Sequence, residues 1–167
     1  MKRKINIVVS KAYPKVHKRH GEPTHFATKL VNGEKLHTIR NNYDLWAVNA
    51  EKIRSGKYVL SVRQWSGVPR RSKQREVYNI DEEIGVEHIT MKYSAEDDSL
   101  SVCVEDRHLS ADEIERLAKN DGTTVDDFKD WFFWKQRNKQ DATFNGVIVH
   151  FTPLRYAQGS ATLMNNV

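Results

Sequence analysis

A single cysteine in 167 residues leaves no internal disulfide to hold this chain together, so its stability has to come from packing. Cys103 lies in the alternating Leu100-Ser101-Val102-Cys103-Val104, where a small buried thiol fits a strand core, and its solitude points to a reducing, cytoplasmic setting. Long hydrophobic runs are also missing. Met1-Lys2-Arg3-Lys4 leads only into the short Ile5-Asn6-Ile7-Val8-Val9, against the roughly 20 apolar residues a membrane helix needs, so neither a signal peptide nor a span is expected. No internal repeat, heptad series or low-complexity block divides the chain. The sequence holds no Walker loop, dinucleotide glycine fingerprint, serine elbow or zinc-deaminase signature, and so gives no case for a cofactor.

What remains is a chain of ordinary composition. With 38% hydrophobic and 29% charged residues it reads as a soluble globular protein, and its length fits one domain over residues 1–157 followed by a polar tail, 158–167. The formal charge of +5 favours polyanionic partners. The cations are clustered, with Lys11, Lys15, Lys18 and Arg19 in one segment and Arg70, Arg71, Lys73 and Arg75 in another.

Ile5 to Val9 reads as a buried strand, followed by a basic loop, Lys11 to Pro23, in which Pro14, Gly21 and Pro23 disfavour regular structure. Thr24 is placed to cap a short helix carrying Phe26, Ala27, Leu30 and Val31, which Asn32-Gly33 would terminate. Helical spacing resumes from Tyr43 to Ile53, with Gly56 as a C-terminal cap. Two strands, 58–65 and 75–80, then flank a hairpin loop whose tip is Arg70, Arg71 and Lys73. A second hairpin joins Gly85 to Tyr93 with Ser99 to Glu105. Ser110-Ala111-Asp112-Glu113 is a capping box for a helix to about Lys119, and Thr124 starts another that carries the aromatic Phe128 to Trp134. Asn145-Gly146 reads as a turn before a closing strand, Val147 to Phe151. Strands joined mainly by loops, with a few helices attached, indicate an α+β, barrel-like fold.

One short stretch concentrates chemistry. Gly33-Glu34-Lys35-Leu36-His37-Thr38-Ile39-Arg40 sets an amine, a hydroxyl and a guanidinium within eight residues of a helix end. If Thr38 to Arg40 is extended, the period of two puts Thr38 and Arg40 on one face and Ile39 in the core, while Lys35 can curl over the same wall. His37 points the other way, as a supporting residue. A threonine hydroxyl becomes a nucleophile only when a base takes its proton, and a lysine serves as that base only when part of it is neutral. A charged Lys35 would instead pair with Arg40 as a ligand for phosphate or carbonyl oxygens. Equally, both cations can be solvated and Thr38 an ordinary strand residue.

The pattern glycine, lysine, threonine, arginine at this spacing after a short helix resembles the ASCH domain family. Gly56-Lys57 running into Tyr58-Val59-Leu60-Ser61-Val62 is similar to that family's glycine-acid step into a strand, with Lys57 where an acidic residue is common. The likeness covers roughly Thr24 to Ile80 and returns weakly near Ala118 to Phe151. It implies a PUA-like small β-barrel with peripheral helices, associated with RNA binding. It also implies kinship with small bacterial amidohydrolases acting on N4-acetylcytidine, whose catalytic lysine, threonine and glutamate would fall on Lys35, Thr38 and, one methylene shorter, Asp121.

Two further readings stay open. In one the chain is a non-catalytic RNA-binding module in which Lys35 and Arg40 hold a backbone, the Arg70/Arg71 hairpin extends the contact, Lys15, Lys18, Arg19 and Lys73 add nucleic-acid contacts, and Trp65 stacks on a base. In the other it is a ribonuclease whose Lys35 and Arg40 stabilise a pentavalent phosphate. Trp46, Trp131 and Trp134 lie in helical patterns and read as core or helix–barrel contacts. His17, His20 and His25 lack the spaced cysteines or acidic partner that would make a metal site, so no metal is expected.

Overall fold

In the computed structural model, which describes residues 1–158, eight strands and four helices form two sheets. The smaller sheet runs β1 (Arg3–Val8), β3 (Tyr58–Trp65), β4 (Gln74–Ile80), with β1 parallel to β3 and β4 antiparallel to it. The larger one is antiparallel throughout, in the order β2 (His37–Arg40), β8 (Ala142–His150), β5 (Gly85–Ser94), β6 (Ser99–Val104), β7 (Arg107–His108). The α+β class holds. Among the described residues neither sheet closes on itself.

Two apolar cores lie on opposite faces of the large sheet, and β8 is the wall between them. Its last five residues, Gly146 to His150, are all buried, and successive side chains point to opposite sides. Ile148 packs with Ile39, Ile89, Met91 and Val104 beneath α3 (Ala111–Asn120) and α4 (Val125–Phe133). Val147 and Val149 pack with Ile7, Leu60 and Val62 of the small sheet, together with α1 (Phe26–Val31) and α2 (Tyr43–Arg54).

Local chemistry sets most of the element ends. Ser110 and Glu113 form the reciprocal capping box that their spacing predicts. The side chain of Thr124 accepts from the Asp127 amide, and that of Asn42 from the Leu45 amide. Gly33 and Gly56 take positive φ, 74° and 77°, just past the ends of α1 and α2.

Three expectations need correction. Asn145-Gly146 is not a turn but the middle of β8, paired with Thr90 and Ile89. Glycine stands there because of a close approach: a Cβ would overlap the Arg40 carbonyl oxygen and lie 2.7 Å from the Phe144 ring. Thr24 does not cap α1; His25 holds that position at φ 59°, while the Thr24 hydroxyl donates to Ser10 O and accepts from the Phe26 amide. Trp134 is 44% exposed with Lys135 over its ring, not a core contact, whereas Trp46 is buried. The basic loop after β1 is also more ordered than its prolines suggest. Ala12 bridges Pro23, and Tyr13 and His17 are buried against α4. Of the polar tail, only Gln158 lies within the described residues.

Candidate active site

Backbone hydrogen bonds pin the motif where it enters β2. The Lys35 amide donates to Lys29 O at the end of α1, the Leu36 amide to Asn120 O at the end of α3, and the Phe151 amide to Leu36 O. These bonds set the start of β2 against the C-terminus of α3, where Asp121 is the C-cap and Gly122, at φ 92°, reverses the chain. A residue 86 positions away in sequence is thereby delivered to Lys35.

Lys35, Thr38, Arg40 and Asp121 line one pocket with about 400 Å³ of empty space up to its mouth. Most of that space is open mouth: the enclosed part is only about 50 Å³, well below the roughly 300–1,000 Å³ of ordinary small-molecule sites, so a ligand would lie partly outside it. Lys35 is 2% exposed. Its Nζ donates to the Asp121 carbonyl at 2.6 Å, stands 3.6 Å from Asp121 Oδ1 and rests 4.3 Å from the centre of the Phe26 ring. Burial drives its pKa down to about 8, with Asp121 opposing the shift and Arg40 adding to it. The competition between burial and the aspartate is therefore won by burial, and a neutral amine is accessible near physiological pH.

Thr38 and Arg40 share the strand face that period two predicts. Arg40 Nη1 donates to Thr38 Oγ1 at 2.7 Å and to Ile39 O at 2.8 Å, and Nη2 donates to Val8 O at the end of β1. His37 faces away from the pocket, as expected, but it is not idle. Its Nδ1 lies 3.1 Å from Asp121 Oδ1 and its Nε2 2.6 Å from the Tyr156 hydroxyl.

The other predicted residues lie elsewhere. Gly33 supplies the turn after α1 and lines a separate groove between α1 and α3. Trp65, half-buried at the end of β3, does not line the pocket. Lys18 pairs with Asp126 and Arg19 with Glu22 and Asp127, so much of that basic segment is neutralised within the molecule. Lys15 is exposed on the same loop. Arg70, Arg71 and Lys73 are exposed at the β3–β4 tip, and among the described residues they form no ion pair. His17 is engaged by Asp127, and the described residues contain no cluster of three metal-ligating side chains.

The rest of the lining is largely aromatic, Phe26, Phe128, Trp131 and Phe132, with Ser10 and Thr123 beside them. The sequence reading missed this aromatic wall. The signal was present: residues 128, 131 and 132 fall on one face of a helix at i, i+3 and i+4. Such a wall accepts a flat ring on its faces while the four polar groups address a substituent at its edge.

Compared with protein-family models, with curated proteins and with solved structures, the chain shows no significant match to any of them.

Proposed function

We propose that this pocket binds an N-acylated pyrimidine nucleoside and hydrolyses its exocyclic amide, the activity that the resemblance to ASCH amidohydrolases implies. The observation that carries the proposal is the meeting of Lys35, Thr38, Arg40 and Asp121 in one pocket that four aromatic rings also line. A PUA-like ancestry for the two open sheets belongs to the same proposal and rests on the motif.

The chemistry runs in two halves. Neutral Lys35 takes the Thr38 hydroxyl proton, and Thr38 Oγ attacks the acyl carbon. At a pKa of about 8, roughly one-tenth of Lys35 is neutral at pH 7. The Arg40 bond to Thr38 Oγ1 lowers the cost of negative charge on that oxygen and leaves the hydroxyl proton free to depart. The lysine ammonium then protonates the departing ring amine as the C–N bond breaks, leaving an acyl ester on Thr38. A water molecule, deprotonated by the regenerated amine, attacks the ester; the lysine ammonium returns that proton to Thr38 Oγ as the C–O bond breaks, and the freed acid ionises into solvent. One water is consumed, and both Lys35 and Thr38 return to their starting states.

The test is acetate release from N4-acetylcytidine by the purified protein. We expect kcat/KM to rise with pH through about 8, because the base works only when deprotonated, and Lys35→Met or Thr38→Ala to lower it at least a hundredfold. A wild type that releases no acetate sinks the proposal for this substrate. The exposed Arg70, Arg71 and Lys73 favour a second reading, an RNA-binding module. An inactive protein whose RNA affinity falls steeply with salt, less so after Arg70→Ala and Arg71→Ala, would select it.

A further inference from the structure

Behind the pocket a line of buried polar groups runs from the C-terminal segment to Lys35, and its hydrogen-bond directions are fixed by elementary valence. Asn120 Nδ2 can only donate, and it lies 3.0 Å from the Tyr156 hydroxyl. That hydroxyl therefore accepts from Asn120 and offers its own proton to His37 Nε2, 2.6 Å away. With Nε2 accepting, a neutral His37 carries its proton on Nδ1, which faces Asp121 Oδ1 at 3.1 Å. Burial pushes the His37 pKa down, against the pull of Asp121, so the neutral ring is the resting form. Lys35 Nζ in turn donates a hydrogen bond to the Asp121 carbonyl oxygen and faces its Oδ1.

Tyr156 is held for this contact by more bonds than its own burial requires. The Glu87 carboxylate accepts from the Tyr156 and Ala157 amides at 2.9 Å each, and Arg107 donates to Tyr156 O through Nε and Nη2 at 2.9 and 2.7 Å. Arg107 is itself paired with Glu113 of α3, and Glu87 with His150 at 2.7 Å. The segment is strapped on both sides, and the hydroxyl at its centre is aimed at one imidazole nitrogen.

We infer that Tyr156 and His37 are positioning residues: the directed chain Asn120, Tyr156, His37, Asp121 holds the aspartate where it sets the orientation and proton affinity of the Lys35 amine. Neither residue meets substrate, since neither lines the pocket. This inference rests on the proposed role of Lys35 as the base, but its consequence can be read without turnover. The charged groups around Lys35 are Asp121 from the end of α3, Arg40 from β2 and Lys29 from α1. His37 faces Asp121, Lys35, Glu87 and His150. Removing the His37 donor leaves the Asp121 charge without its competing hydrogen bond, so it falls more fully on Lys35 and the amine holds its proton more tightly.

The experiment is an NMR titration of Lys35 Nζ in lysine-labelled protein, alongside the tautomer of His37 from its ring nitrogen shifts. In the wild type we expect His37 neutral with the proton on Nδ1. In His37→Phe we expect the Lys35 midpoint to rise by about one pH unit, a tenfold loss of neutral amine at pH 7. His37→Asn, whose amide nitrogen stands where Nδ1 does, should return the midpoint most of the way, and Tyr156→Phe should give a mixture of His37 tautomers with a smaller rise. If His37→Phe does not fold, the other two variants carry the test. Lys35 midpoints equal in the wild type and every folded variant overturn the inference. An inactive wild type with shifted midpoints would overturn only the proposed reaction.

Discussion

At the scale of single residues, the site turns on a lysine stripped of almost all its water, 2% exposed in the pocket wall. A buried amine with a folded pKa of about 8 against 10.5 in the unfolded chain binds its proton less readily when folded. Between these values the unfolded state holds more protons, so stability rises as pH climbs through the window and is lowest, and flat, below about 8. We expect the wild type to gain up to about 3 kcal/mol relative to Lys35→Met between pH 7 and 10.5, read by urea titration at both pH values. A constant difference between the two proteins would mean that Lys35 is not desolvated as described. The residue pattern was legible in the sequence for Thr38 and Arg40, because a strand's alternation fixes which side chains share a face, and for Lys35 because the turn before the strand lets it curl over that face. Tyr156 was not legible. A tyrosine in an irregular segment has no periodicity to betray its direction, and its partner His37 reads as an ordinary inward residue until the two are folded together.

Among the elements, those whose ends are set by adjacent residues are the ones the sequence announced. The capping box at Ser110, the cap at Thr124, the glycines after α1 and α2, and both hairpins emerged where their local signals lie. Strand β8 failed for an instructive reason. Asn145-Gly146 carries strong turn chemistry, but the glycine is there to admit the Arg40 carbonyl of the neighbouring strand β2, a contact about a hundred residues away in the chain that no local window can see. Gly146→Ala is therefore expected to push β2 away from β8 and destabilise the protein by about 2 kcal/mol or more, with acetate release falling alongside because Thr38 and Arg40 ride on the displaced strand. Denaturation midpoints measured beside wild type check this. A neutral substitution would show that the strands can part without loss.

On the scale of the whole molecule, the large sheet buries ionisable groups as well as apolar ones. His37 and His150 are paired across β2 and β8 and stand in edge contact, ring centres 5.5 Å apart, with no exposed surface. Burial pulls the His150 pKa down to about 4, against the opposing pull of its Glu87 partner. The unfolded histidine takes up its proton near 6.5, so stability contributed by the neutral ring is complete above that value and is lost as pH falls towards 4. We expect the protein to lose stability steeply across this window. His150→Gln, which keeps a donor for Glu87 but does not titrate, should lose about 2–3 kcal/mol less between pH 6.5 and 4. Equal slopes in the two proteins would place the acid sensitivity elsewhere. None of this could be read from composition. The seven histidines look alike in sequence, and only the sheet order reveals which two are sealed between layers.

Arg40 gives the architecture one further property. Its guanidinium grips the last carbonyl of β1 with one nitrogen and the hydroxyl of Thr38 with the other, so it sutures the two sheets along the seam where the pocket opens. The cleft opens beside that seam, walled by β2, by Val9 and Ser10 just after β1, and by residues of α1 and α4. A molecule filling it would grip both sides of the seam at once. Occupancy should be felt as slowed amide exchange far along β1 and β3, where no ligand atom reaches.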